Sequence, residues 1–181
     1  NSWCIKRGWK SLRSEAEQTE TDTSAGVAIF VKDWIGLTSL EGGEIVPSRC
    51  LAGSIHLPGT SPIVVVSSYL YHSEDLSDRN LSILSRLGLF LSCCEMPYVA
   101  GADHNFEPPL LEDSEFVKEL CGVLVAPSSC AHFPAGKAPV FDYVVCSGGL
   151  AKGVRECAVD FSTSLSPPPS RLSHLLSSAC C

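Results

Sequence analysis

The run Pro62-Ile63-Val64-Val65-Val66-Ser67-Ser68-Tyr69 limits the possible folds most. It is β-branched at successive positions, so neither face of the strand it predicts is polar. Such a strand sits centrally in a sheet and is covered on both sides. A covered sheet needs further layers, and the next stretch supplies one. Leu76, Leu81, Leu84, Leu87 and Leu91 recur at helical spacing between Ser73 and Ser92, which predicts an amphipathic helix. Ser77 is placed to cap it, with Asn80 standing where an acid is usual three residues on.

The remaining elements are mostly strands. Ala25 to Val31 and Cys50 to Leu57 read as two of them. Pro97 starts another, which runs to Asp103. Asp113 to Leu120 predicts a short helix, Gly122 to Ala126 a short strand, and Pro139 to Cys146 a strand with one acid, Asp142, in an apolar run. Val154 to Phe161 alternates and predicts a last strand. Residues 1–24 are polar and read as an irregular arm, with Gly8-Trp9 pinned to the core. The prolines at 167–169 end regular structure, leaving 166–181 as an irregular or disordered tail. No strand-like run precedes Trp9, so the chain reads as starting in mid-domain. Strands dominate and helices lie outside them, which predicts an α/β sandwich over residues 25–165.

The chain of 181 residues is 45% hydrophobic, enough for one domain with a core. Its net charge of −7 excludes a basic surface overall, so any nucleic acid must be held by a local patch or a bound cation. Ten cysteines include no C-x-x-C pair, which argues against a zinc site. Without a signal-peptide pattern, the thiols read as reduced and buried in an intracellular protein of the cytoplasm or nucleus. Asn80-Leu81-Ser82 matches a glycosylation acceptor, but without a secretory signal it carries little weight. No apolar run is long enough to span a bilayer.

Polar groups collect at the predicted strand ends. Tyr98-Val99-Ala100 is apolar, Gly101-Ala102 follows, and Asp103 and Asn105 come at spacing two before Pro108-Pro109. In extended chain both side chains point one way, offering a carboxylate for a cation or proton and an amide for a phosphate oxygen or water. The alternative is an Asx turn in which they bond their own backbone. Tyr69 ends the first strand, and as a strand-end aromatic its hydroxyl reaches solvent. Asp142 is either paired or metal-bound within the apolar run, or at an edge facing water. His104 points away from its neighbours and reads as structural or exposed. His56, His72 and His132 read as surface or loop residues. No Ser/His/Asp or Cys/His spacing rises above chance.

In this order, strand–Tyr69, then Gly101-Ala102-Asp103-His104-Asn105, then Phe141-Asp142-Tyr143, the chain resembles the endonuclease/exonuclease/phosphatase superfamily. The G-D-x-N hallmark of that family is matched by Ala102-Asp103-His104-Asn105, with alanine in the glycine's place. Ser24-Ala25-Gly26-Val27-Ala28 resembles an S-G-G-V-A stretch found most of all in retrotransposon-type members. The resemblance spans residues 8 to 165. It implies a four-layer α/β sandwich, two packed mixed sheets flanked by helices, and Mg2+- or Mn2+-dependent hydrolysis of a phosphoester, with nucleic acid among the substrates. By the same analogy Asp103 orients or deprotonates the attacking water, and Asn105 holds that water or a phosphate oxygen. Both face the metal. Tyr69 donates to the phosphate, and Asp142 orients a catalytic histidine.

The departures bear on activity. The metal-holding glutamate and an asparagine of the family have no counterpart, since they lie on strands before the point where this chain starts. The closing Ser-Asp-His motif is replaced by Ser166-Pro167-Pro168, and proline has no ligand or donor to offer. His174 replaces the lost histidine only if the tail folds back. The expectation is a fold incomplete at its N-terminus, a weak or inactive phosphoesterase of mobile-element type, or a non-catalytic interaction or nucleic-acid-binding remnant of one.

Overall fold

The computed structural model describes residues 6–18, 23–127 and 140–154. Strands β5 (Gly36–Val46), β6 (Cys50–His56), β7 (Ile63–Tyr69), β8 (Tyr98–Asp103), β9 (Gly122–Val125) and β10 (Asp142–Ser147) form one sheet in the order β5-β6-β7-β8-β10-β9. The β7–β8 pair is parallel and the other pairs are antiparallel. β1 (Trp9–Ser14) and β4 (Val27–Lys32) make a second, antiparallel two-stranded sheet. The hairpin of β2 (Glu17–Gln18) and β3 (Thr23–Ser24) lies between them in sequence.

A parallel pair requires a crossover, and here it is α1 (Asp78–Cys94). Ile83, Leu84, Leu87 and Leu91 bury their side chains against Val64, Val66, Tyr98, Ala100, Tyr143 and Val145 on one sheet face. The short helices α2 (Pro108–Glu112) and α3 (Glu115–Glu119) close the same core with Leu111 and Val117. A final turn, α4 (Gly148–Ala151), follows β10. On the opposite face Leu51 and the flanking Ile55, Val65 and Tyr69 meet Val27, Ile29 and Val31 from β4 and Leu12 from β1. The described residues therefore stack helices, a six-stranded sheet and a two-stranded sheet, as an α/β sandwich requires. None of the described helices is long and apolar enough to cross a membrane.

Several local expectations change. Residues 9–14 are not irregular but form β1, whose Leu12 and Ser14 turn inward opposite Ile29 and Val27. β5 was not anticipated, because glycines and a bulged register between Ser39 and Glu44 break its alternation. Pro108-Pro109 opens a helix, since proline is tolerated in the first turn. Leu76 precedes α1 and Leu81 is exposed, so Asn80 and Ile83 take their places on its buried side. Among the described cysteines Cys50 and Cys146 are buried thiols, whereas Cys93 and Cys121 are exposed. The strand expected at Val154 to Phe161 (beyond Val154 itself), the proline break, the tail, His132 and His174 lie outside the described residues.

Asn80 joins α1 to the loop that carries Tyr71 and His72. Ser77 Oγ accepts its backbone N–H as a cap, and the fully buried side chain makes three more bonds. Oδ1 accepts from Tyr71 N–H at 2.8 Å, and Nδ2 donates to Tyr71 O at 3.1 Å and Asp75 O at 2.7 Å. Asn80→Ala leaves those backbone groups without partners and should cost about 1–3 kcal/mol, read from the shift of the urea unfolding midpoint.

Candidate active site at three adjacent strand ends

The parallel pairing of β7 and β8 brings their carboxyl ends to one edge, where sites form in α/β sheets. Tyr69 is register partner of Asp103, and Asp103 is register partner of Asp142, the first residue of β10. Partners across a sheet share a face. Val64 and Val66 on β7 point to the helices, so Tyr69, four residues after Val65 and two after Ser67 and hence in phase with both, points with them to the second sheet. Tyr69, Asp103 and Asp142 thus form one row on the inter-sheet side. Leu70 N–H donates to Asp103 O at 3.0 Å and His104 N–H to Phe141 O at 2.8 Å, which ties the three ends together.

Asn105 does not join that row. The strand stops at Asp103, and Asn105 has a left-handed φ of 59°, so the extended-chain spacing no longer applies. Asp103 Oδ1 accepts from Asn105 N–H at 3.2 Å, the Asx-turn alternative. The buried amide instead clamps the neighbouring loop. Nδ2 donates to Leu70 O at 2.8 Å, and Oδ1 lies 3.0 Å from His72 Nδ1, which is the donor in the tautomer that makes this bond. Ala102, in place of the expected glycine, has an ordinary strand backbone and pairs with Tyr143, so nothing local demands glycine there.

His104 is structural. It is 3% exposed, and its ring stacks on Tyr143 at 3.8 Å and 5° between planes, on the core side of the sheet. Burial pulls its pKa down to about 3, opposed only weakly by the carbonyls of Phe141 and Ala102. Burial likewise pushes the Tyr143 phenol up. His104 Nδ1 and Tyr143 Oη have no hydrogen-bond partner among the described residues.

Two functional candidates gave no signal in the sequence. Arg49, only 6% exposed, follows a turn at Ser48 and accepts Tyr69 N–H on its carbonyl at 2.9 Å. Its guanidinium lies 5.1 Å from the Tyr69 ring centre and 4.0 Å from that of Tyr71. Nη2 donates to Ser24 Oγ at 3.3 Å, and Nε has no partner among the described residues. A buried cation without a described carboxylate is costly and suits an anion brought from outside. Arg79 covers the other face of Tyr71 at 3.5 Å and pairs with Glu74 at 2.9 Å. The second candidate, His72, borders a cleft of about 670 Å³ with Asn105, Phe106, Leu110 and Phe141. That cleft adjoins the row without including its side chains, and a similar groove between α1 and α3 lies away from the chemistry.

A divalent cation such as Mg2+ takes several oxygen ligands at once. Among the described residues no group of three or more acids, histidines or cysteines is placed to hold one, and both polar atoms of the Asn105 amide are engaged elsewhere. The described residues alone do not fit a complete metal site.

No family model matches the chain, and no curated protein does. Solved structures match it with probability 1.00. The endonuclease domain of TRAS1, a telomere-specific non-LTR retrotransposon, gives a TM-score of 0.62 at 15% identity, covering 85% of this chain and 74% of that one. The human Nocturnin catalytic domain gives 0.54 at 13%, covering 81% and 63%. The AP endonuclease LMAP from Leishmania major gives 0.59 at 14%, covering 84% and 66%. The chain has the endonuclease/exonuclease/phosphatase fold and spans 63% to 74% of the length of these proteins.

The buried imidazole sets a pH dependence. A histidine held neutral when folded but free to protonate when unfolded stabilises the fold above the unfolded pKa of about 6.5. That contribution is lost as pH falls toward the folded value of about 3. Between pH 7 and pH 5 His104 should remove about 2 kcal/mol of stability. The slope should largely vanish in His104→Phe, which keeps a ring against Tyr143, when unfolding free energy is followed against pH.

Proposed function

We propose that this chain is the phosphoester-engaging part of an endonuclease/exonuclease/phosphatase-type domain, with weak hydrolytic activity or none in the form described. The observation that carries this reading is the row Tyr69, Asp103 and Asp142 at adjacent strand ends, with the buried Arg49 guanidinium beside Tyr69. Tyr69 and Arg49 supply a hydroxyl and a cation for a phosphate oxygen, the pairing that stabilises charge building on phosphorus-bound oxygen. Asp103 supplies a carboxylate able to orient water or take its proton, and Asp142 supports the same edge. A divalent metal, when completed by ligands beyond those described, would add charge stabilisation.

Structural neighbours support a substrate class. One is described as a 3' phosphatase, NExo from Neisseria, bound to product DNA hairpin, and another as a 2',3'-cyclic phosphatase, ANGEL2, in complex with adenosine-2',3'-vanadate. The proposed substrate is accordingly a phosphoester of nucleic acid. The engaged Asn105 amide favours the weakly active or purely binding end of this range.

Cleavage of abasic and 3'-phosphorylated DNA with Mg2+ or Mn2+, run beside the Leishmania major enzyme, tests it. Turnover should fall at least ~100-fold below that enzyme, since the Asn105 amide is engaged elsewhere and the loss of one catalytic group costs about that much. Arg49→Gln should weaken binding of the DNA end roughly tenfold, the worth of one charge-assisted bond, and Asp103→Asn should remove residual cleavage. Turnover equal to the comparison enzyme and indifferent to Asp103→Asn contradicts the proposal.

A further inference from the structure

We infer that the outer face of the β1–β4 sheet is a docking surface for single-stranded nucleic acid, separate from the strand-end row. The register Trp9↔Lys32, Ser11↔Phe30 and Arg13↔Ala28 puts these six residues on one face. Their neighbours Leu12, Ile29 and Val27 point the other way, into the core between the sheets. The outer face therefore looks away from Tyr69, which packs in that core.

Its chemistry differs from that of the whole chain. The net charge is −7, yet none of the six is acidic and two are cations. Cations and rings interleave: Lys32 Nζ lies 4.1 Å from the Trp9 ring centre and Arg13 Cζ lies 5.5 Å from that of Phe30. Phe30 is 47% exposed, and Trp34, in the turn after β4, is 68% exposed. The acid of that turn, Asp33, lies against Gly8.

A ribbon of exposed rings alternating with cations is the arrangement on which unpaired bases stack while their phosphates meet Lys and Arg. Duplex DNA offers its phosphates but hides its base faces, so it satisfies only the cations. An acidic peptide does likewise. The net negative charge of the chain opposes a polyanion over most of its surface, which favours this acid-free face. The occupant that uses both halves of the pattern is a single strand. Such a strand would be tethered here without contacting the proposed phosphate row, so this inference stands apart from any hydrolysis.

The test is fluorescence anisotropy of a labelled oligothymidylate with the full chain, in EDTA so that no cleavage intervenes. Binding should weaken as salt rises. Phe30→Ala should cost roughly five- to a hundredfold, the worth of one base stack, and Lys32→Glu roughly tenfold at low salt. Lys32→Arg and Phe30→Trp should bind as the parent does. Both altered side chains are exposed on the sheet surface, and an unchanged circular-dichroism melt certifies the fold of each variant. No binding at low salt overturns the inference. So does binding indifferent to Phe30→Ala and Lys32→Glu but lost in Arg49→Gln, which places the strand in the row. Equal affinity for duplex DNA, or displacement by polyglutamate as effective as by unlabelled oligothymidylate, overturns the single-strand assignment.

Discussion

The hydrogen-bonded parallel pairing of β7 with β8 is the constraint on which the rest of this structure depends. Parallel neighbours cannot be joined by a tight turn, so the chain must cross over the sheet, and α1 is that crossover. The helix covers one face with Leu84, Leu87 and Leu91, while β1 and β4 cover part of the other. Because β7 and β8 run the same way, both release their chains at the same edge. β10, antiparallel to β8, begins there. Tyr69, Asp103 and Asp142 are far apart in sequence and meet only because of this topology.

The same edge holds groups that a stability-optimised fold would not keep. Arg49 is buried with Nε lacking a described partner, and the stacked His104 and Tyr143 each bury a polar atom without a partner among the described residues. Each such group costs free energy that the apolar layers offset. Asn105 and Asn80 do the opposite, since their side-chain amides fasten the loop between β7 and α1 to its surroundings. The loop and the row are therefore mechanically linked, with Tyr71 held between Arg49 and Arg79 at the junction.

How much of this was legible in the sequence depended on whether period or topology carried the signal. β7 and α1 were readable because an unbroken β-branched run and a leucine repeat each have one structural meaning. β8, β9 and β10 were readable from short apolar runs between turn residues. β1 was not, since Leu12 is the one apolar residue on its inward side, between Lys10 and Ser14, while Trp9 lies on the outer side. β5 was hidden by its bulge and glycines. At the site, the order Tyr69, Asp103, Asp142 could be recognised, but the role of Asn105 could not. A single left-handed residue after the strand reverses where its amide points, and no local pattern announces that. Arg49 and His72 carry no motif and gain meaning only from neighbours dozens of residues away.

The central claim is that three strand ends and one buried arginine make a single phosphate-facing row. Backbone amide NMR of the labelled protein, titrated with a 5'-phosphorylated dinucleotide, addresses it most directly. The account predicts saturable shifts centred on Arg49, Tyr69, Asp103 and Asp142, with His72 and Asn105 following. Shifts absent from those residues and confined to the groove between α1 and α3 would contradict it.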